Sequence, residues 1–274
     1  MKEVKVIYYN DPVNDDFARN NIKTKELPEN YKYVNKNIFF RFFEFIIYEL
    51  IVRPIVFFYI KFKYKQKFIN KKAMKGFKRK GFFLYINHTN EDLDAFVPNM
   101  IAFPNKAFII VHRDAFSIKG IGTLVKMLGG VPIPSTRSEY KNFLDAVNYR
   151  IDSNKVLVIY PEAHIWPYYT DIRPFKNVSF NYAYGKDKPI FSITNVYIKR
   201  KEGKRPKVLS YINGPMYIDN TLPRQAAIEK IRNEVYESMK KETLKHEKYE
   251  YKYRYVKADE TNEGEGEVAN WNKD

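Results

Sequence analysis

The stretch YINHTNEDLDAF, residues 85–96, sets a histidine directly behind a short apolar run and follows it with three carboxylates in four positions. An imidazole titrates at about 6.5, so His88 can serve to remove a proton from an alcohol attacking an acyl carbonyl, provided a carboxylate holds the ring in the right tautomer. A polar turn histidine without chemistry is the bland alternative. Two further stretches weigh against it. GGVPIPSTR, residues 129–137, ends in Arg137, a fork-shaped donor suited to phosphate. VLVIYPEAHIWP, residues 156–167, carries Glu162 directly after a proline. His88, His112 and His164 all fall at or near the ends of apolar runs, where open α/β sheets bind their ligands. A Walker-type glycine loop, G-x-S-x-G and H-E-x-x-H are all missing, and GIGTLV at Gly120–Val125 has only two glycines of a dinucleotide fingerprint.

The elements that must position these residues read as short apolar runs alternating with helical stretches from residue 81 onward. GFFLYI, AFIIV, GVPIP, KVLVIY, PIFSITNVYI and KVLSYI are expected strands, and 91–101, 118–128, 138–152 and 175–184 expected helices. A last helix is expected from about Pro223 to Leu244, with Thr221 as its cap and Ile228, Ile231, Val235 and Met239 on one face. That alternation means an α/β domain with helices on a central sheet.

Upstream the character differs. Residues 1–36 are polar, with turn signals, and read as a loosely packed lead-in. Residues 37–60, NIFFRFFEFIIYELIVRPIVFFYI, are dense in Phe and Ile but interrupted by Arg41, Glu44, Glu49 and Arg53. Four charges argue against spanning a bilayer and for a helix lying in its interface, which Pro54 is expected to kink or break. Residues 61–80 carry ten basic and no acidic side chains, a cluster suited to an anionic leaflet. Interleaved aromatics would also suit nucleic acid, but no nucleic-acid motif surrounds them, so no such partner is expected. The acidic, Gly-containing end of the chain reads as disordered. The expected organisation is therefore lead-in 1–36, interfacial and basic segment 37–80, catalytic domain 81–248 and disordered tail 249–274.

Across its 274 residues the chain holds 48 Lys and Arg against 32 Asp and Glu, a net charge of +16 that favours a polyanionic partner. It has no cysteine, which excludes disulfides, thiolate metal sites and a cysteine nucleophile. The first residues lack the apolar core of a signal peptide, so the bulk of the protein is expected in the cytoplasm.

Over about residues 80–215 the chain resembles the lysophosphatidate and glycerophosphate acyltransferase family. Asn87-His88 matches the start of the family's first block, which is Asn-His, four residues, then Asp. Gly130–Arg137 is similar to the second, Tyr160–Ile165 followed by Phe175-Lys176 approximates the third, and Pro189 opens the fourth. The resemblance implies a central mixed sheet flanked by helices, an N-terminal membrane-associated helical segment, and acyl transfer from acyl-CoA or acyl carrier protein to the hydroxyl of lysophosphatidate or another lipid. A non-catalytic lipid-binding relative is the alternative. It implies His88 as general base and Glu162 holding the pocket or the acceptor; Arg137, His164, Arg173 and Lys176 are the candidate phosphate ligands in place of the arginine missing at Ile165. No metal or bound cofactor is implied, because a thioester is already activated, and the expected location is the cytoplasmic face of the cell membrane.

Three positions depart from the family pattern. Its aspartate would fall at Leu93, leaving Asp92 or Asp94. Asp94 is preferred, since Thr89-x-x-Asp92 resembles a capping box. Ala163 stands where the family has glycine, and Ile165 where it has an arginine for the acceptor phosphate.

Overall fold

A computed structural model describes residues 4–17, 23–29, 31–118, 120–201 and 204–258. Seven strands form one mixed sheet in the order β2-β8-β7-β3-β6-β4-β5. They are β2 Lys67–Ile69, β3 Phe82–Ile86, β4 Ala107–Val111, β5 Gly130–Pro132, β6 Val156–Ile159, β7 Ile190–Ile198 and β8 Lys207–Met216. From β7 to β5 all neighbours are parallel, whereas β8 runs antiparallel to β7 and parallel to β2. The expected α/β domain is therefore present, and β3, whose end delivers His88, is its middle strand.

Alternation along each strand divides the core between two faces. Phe83 and Tyr85 of β3 with Leu157 and Ile159 of β6 pack under α6, Arg137–Asp152, and α7, Arg224–Thr243. Phe82, Leu84 and Ile86 with Val156 and Val158 pack on the opposite face, against α2, Arg53–Tyr64, and α3, Glu91–Ile101. Every residue of β3 is fully buried, as expected for a parallel strand covered on both sides.

Several boundaries differ from expectation. Of the helix expected over 118–128 only α5, Gly122–Met127, forms, with a separate short helix, α4, at Asp114–Ser117 before it, and 175–184 holds only a 3-10 turn at Val178–Tyr182. Thr221 does not cap α7: it bonds Asp219, and α7 begins behind Pro223 without a side-chain cap. Nor does Pro54 break its helix. The chain runs from α1, Ile38–Phe45, through a π-helical segment, Ile46–Val52, straight into α2. Proline cannot donate to the carbonyl one turn back, so the ladder ahead of it widens to i→i+5 pairing and the axis continues. The interruption is absorbed as register.

The lead-in and the tail are also more ordered than their composition implied. β1, Lys5–Tyr9, pairs in parallel with β9, Tyr253–Lys257, as a separate two-stranded sheet. Around it Trp166 is enclosed by Tyr9, Phe17, Tyr169 and Tyr255, and its indole N–H donates to the Asp15 carbonyl at 2.8 Å. Tyr33 is buried in the α6 side of the core. Disorder expected from residue 249 therefore fails through 257, while 259–274 lies outside the described residues. Among the described residues no helix is long and apolar enough to cross a membrane.

Candidate active site

β3 ends at Ile86, and the next four residues turn the chain into α3 with backbone groups facing the carboxyl edge of the sheet. Each is held. His88 N–H donates to Glu162 Oε2 at 2.7 Å and its carbonyl accepts from Trp166 N–H at 3.1 Å. The Thr89 carbonyl accepts from Tyr168 N–H and from the Tyr197 hydroxyl, at 2.8 and 3.1 Å. Asn87 exchanges two bonds with Asn195 of β7, accepting at 2.8 Å and donating at 3.2 Å. The turn is thus fastened to its two neighbouring strands, β6 and β7, and its geometry is fixed before any substrate arrives.

The side chains complete the arrangement. His88 Nδ1 lies 2.7 Å from Asp94 Oδ2, the imidazole 22% exposed and the carboxylate 4%. Asp94 sits one turn into α3, so the turn and the first helical turn together close the six-residue gap. Asn90 N–H also donates to Asp94 Oδ2, at 3.0 Å. Burial pushes the Asp94 carboxyl above its ordinary range, and the bonds from His88 pull it back. Tyr160 stacks on the imidazole at 4.5 Å between centroids and donates its hydroxyl to the Asp94 carbonyl at 2.5 Å. With Nδ1 donating to the carboxylate, Nε2 carries the free lone pair and can act as a base.

Asp92 does not cap α3. Asn90 is the N-cap, its side chain accepting from Leu93 N–H at 3.1 Å. Asp92 instead faces α2, where it pairs with Lys63 and accepts from Tyr64 Oη at 2.6 Å. Burial works upward on this carboxyl, but the bonds from Lys63 and Tyr64 together outweigh it and hold it below its ordinary value. It joins α2 to α3 and makes no bond to the imidazole.

The residues expected around an acceptor divide differently. Glu162 is only 2% exposed; its second oxygen accepts from Arg173 N–H at 2.8 Å, so both oxygens serve the backbone. Burial raises its carboxyl, opposed by the charge of Arg173. Arg173 is also buried, its guanidinium donating to the carbonyls of Pro12, Glu162 and His164 and lying over Trp166 at 4.7 Å. Both side chains are engaged by backbone groups and brace the His88 turn. His164 and Lys176 are tied to the N-terminal segment, by Asp16 at 3.1 Å and Asn14 at 3.1 Å. Arg137 does not close β5, which ends at Pro132; it is the first residue of α6 and exposed. The buried arginine on that side is Arg113, paired with Glu26 and Glu139 and donating to the Ile133 carbonyl at 3.0 Å. Its place two residues after β4 was its one sequence signal.

Ala163 follows Glu162 with φ of +63°, the left-handed region that favours glycine. The turn after β6 needs that conformation to send Glu162 inward and Arg173 under the chain.

A mixed sheet whose middle strand ends in a carboxylate-oriented imidazole presents a group able to take a proton from a bound hydroxyl. Residues 64–196, containing β2 to most of β7 and every contact of His88 named above, match the Acyltransferase family model. That stretch matches as an acyltransferase domain, which identifies an enzyme of acyl transfer. No curated protein matches the chain. Among solved structures it is similar to the 1-acyl-sn-glycerophosphate (LPA) acyltransferase PlsC from Thermotoga maritima, at 17% identity and a TM-score of 0.48, over 74% of this chain and 87% of that one.

Proposed function

We propose that the protein transfers a fatty acyl group from acyl-CoA or acyl carrier protein to the free hydroxyl of lysophosphatidate, in phospholipid synthesis. The observation that carries the reading is the 2.7 Å contact between the half-open imidazole of His88 and the buried Asp94, inside an acyltransferase domain. His88 Nε2 removes the proton of the acceptor hydroxyl as its oxygen attacks the thioester carbonyl. Asp94 holds the ring and stabilises the imidazolium. When the tetrahedral intermediate collapses, the C–S bond breaks and the imidazolium returns the proton to the departing thiolate, so the enzyme ends as it began. The chemistry requires no metal or bound cofactor.

The acceptor is brought by the membrane. Phe39, Phe42, Phe43, Leu50, Ile55 and Phe58 on α1, the π-helical segment and α2 are large apolar side chains left exposed, and the basic stretch 61–80 follows them. Such a band sinks into the acyl boundary of an anionic leaflet, with Lys and Arg at the headgroups. We assign residues 37–80 to this interfacial role and residues 81–248 to catalysis, on the cytoplasmic face of the membrane. The engagement of Arg173, His164 and Lys176 by protein groups favours, as second reading, a lipid acceptor other than lysophosphatidate.

Mass spectrometry of products from purified enzyme, each donor and a panel of lyso-lipids tests the assignment. Phosphatidate formed by wild type and lost in His88→Ala supports it. Transfer only to another lyso-lipid moves the assignment to the second reading, and undiminished transfer in His88→Ala removes the mechanism.

A further inference from the structure

Beside the His88 turn opens a pocket of about 200 Å³ whose two walls come from different parts of the chain. One wall is the turn itself, Thr89, Asn90 and Glu91, with Ile165 and Tyr168 from the segment after β6. The other comes from the two-stranded sheet: Ile7 of β1, and Lys252 and Tyr253 at the start of β9. That second wall lies outside the acyltransferase match. The pocket is lined by the residues that directly follow His88 in the turn, and about half its lining is aromatic or aliphatic. It suits the short polar end of a lipid with the first methylenes of its chain.

Its charges narrow the ligand. Arg173 is spent on three carbonyls, His164 and Lys176 are held by the N-terminal segment, and Arg137, exposed at the start of α6, does not line the pocket. Asp92 at the pocket is paired with Lys63. Lys252 remains as the lining cation; its side chain is exposed, and Nζ rests 5.4 Å from the centre of the Tyr168 ring. An ammonium parked on an aromatic face at a pocket mouth moves to an anionic ligand by rotating its own side chain.

We infer that this pocket receives the phosphate-bearing end of the acyl acceptor, with Lys252 as its phosphate contact. The assignment rests on the reading of the acceptor as a lysophospholipid. It gives the two-stranded sheet a task, since pairing β1 with β9 is what sets Lys252 opposite the His88 turn. Glu91 lines the same mouth with the opposite charge and opposes a phosphate dianion there.

The two residues therefore act with opposite signs. Lys252→Ala raises the KM for lysophosphatidate about tenfold or more, the loss expected for one bond to a charged group, while Lys252→Arg keeps most of the affinity. Glu91→Gln lowers that KM by roughly twofold. In all three the KM for the acyl donor stays at the wild-type value. Turnover-independent footprinting accompanies the kinetics: reductive methylation of lysines in the full chain, read by mass spectrometry. Lysophosphatidate protects Lys252, and neither the monoacylglycerol of the same chain nor phosphatidylglycerol vesicles do so. Equal modification of Lys252 with and without lysophosphatidate, or an acceptor KM unmoved by Lys252→Ala, overturns the inference. Protection without transfer from any donor would leave the pocket standing and remove the acylation reading. Transfer without protection would do the reverse.

Discussion

At His88 the chemistry depends on one contact and on the backbone that aims it. His88→Ala should cost roughly 10²- to 10⁴-fold in transfer rate with the fold retained, and should lower stability by about 1–3 kcal/mol because the buried Asp94 loses its partner and Tyr160 its stacking ring. Asp94→Asn should cost nearly as much, since an amide can present its NH2 to Nδ1 and select the wrong tautomer. Asp92→Asn is a different experiment: it weakens the bonds to Lys63 and Tyr64, should lower stability by about 1 kcal/mol, and should change turnover far less. A larger rate loss from Asp92→Asn than from Asp94→Asn would show that the imidazole takes its partner elsewhere in solution. Ala163 offers a test of opposite sign. Glycine at φ +63° is free of the strain alanine carries there, so Ala163→Gly should raise stability by up to about 1 kcal/mol, measured by denaturant unfolding. Much of this site was legible from residue types alone. The contact of Asp94 followed from its place beside an apolar run, whereas the bracing roles of Glu162 and Arg173 did not, because a charged residue looks the same in sequence whether it faces a ligand or three buried carbonyls.

The helices ahead of the sheet show where periodic patterns stop being informative. An apolar helix can be recognised in residues 37–60, but the π-helical segment has no signature beyond the proline that follows it, and the exposed side of the helix is distinguished from the buried side only once α3 covers Val56 and Ile60. Replacing Phe58 and Phe62, both exposed, with aspartate should weaken binding to anionic vesicles in a sedimentation assay and leave the unfolding temperature unchanged. Added salt should release part of the wild type, since it screens the lysines and not the phenylalanines. Lys106, between α1 and β4, is the other titratable tie of this region. It pairs with Glu44 at 2.8 Å, and burial nonetheless brings its ammonium down to about 8. The unfolded chain keeps that proton to about 10.5, so between these values unfolding takes up a proton and stability rises with pH. The wild type should therefore gain stability from pH 8 to 10.5 relative to Lys106→Met; parallel curves would place the ammonium in contact with solvent.

Across the whole molecule, the middle of the chain could be read strand by strand, because each buried run carries its own local pattern. The pairing of β1 with β9 could not. Lys5 and Tyr253 are register partners separated by almost the entire chain, each lies in a polar stretch, and nothing within either segment points to the other. What holds them is the aromatic cluster around Trp166, including the 2.9 Å bond from Tyr255 Oη to the Pro167 carbonyl. Ending the chain at residue 248 should expose that cluster and lower stability by roughly 2–3 kcal/mol, an unfolding temperature lower by about 4–10 °C.

The parallel pairing of the chain's two ends also sets a timetable. During synthesis β3, its turn and α3 leave the ribosome long before β9 exists, so the imidazole and its carboxylate can be assembled while one wall of the neighbouring pocket is still untranslated. A chain arrested after α7 would carry the machinery for removing a proton and lack Lys252 altogether. On the proposed assignments, the proton-removing pair and the acceptor's phosphate contact would be completed at separate moments of synthesis.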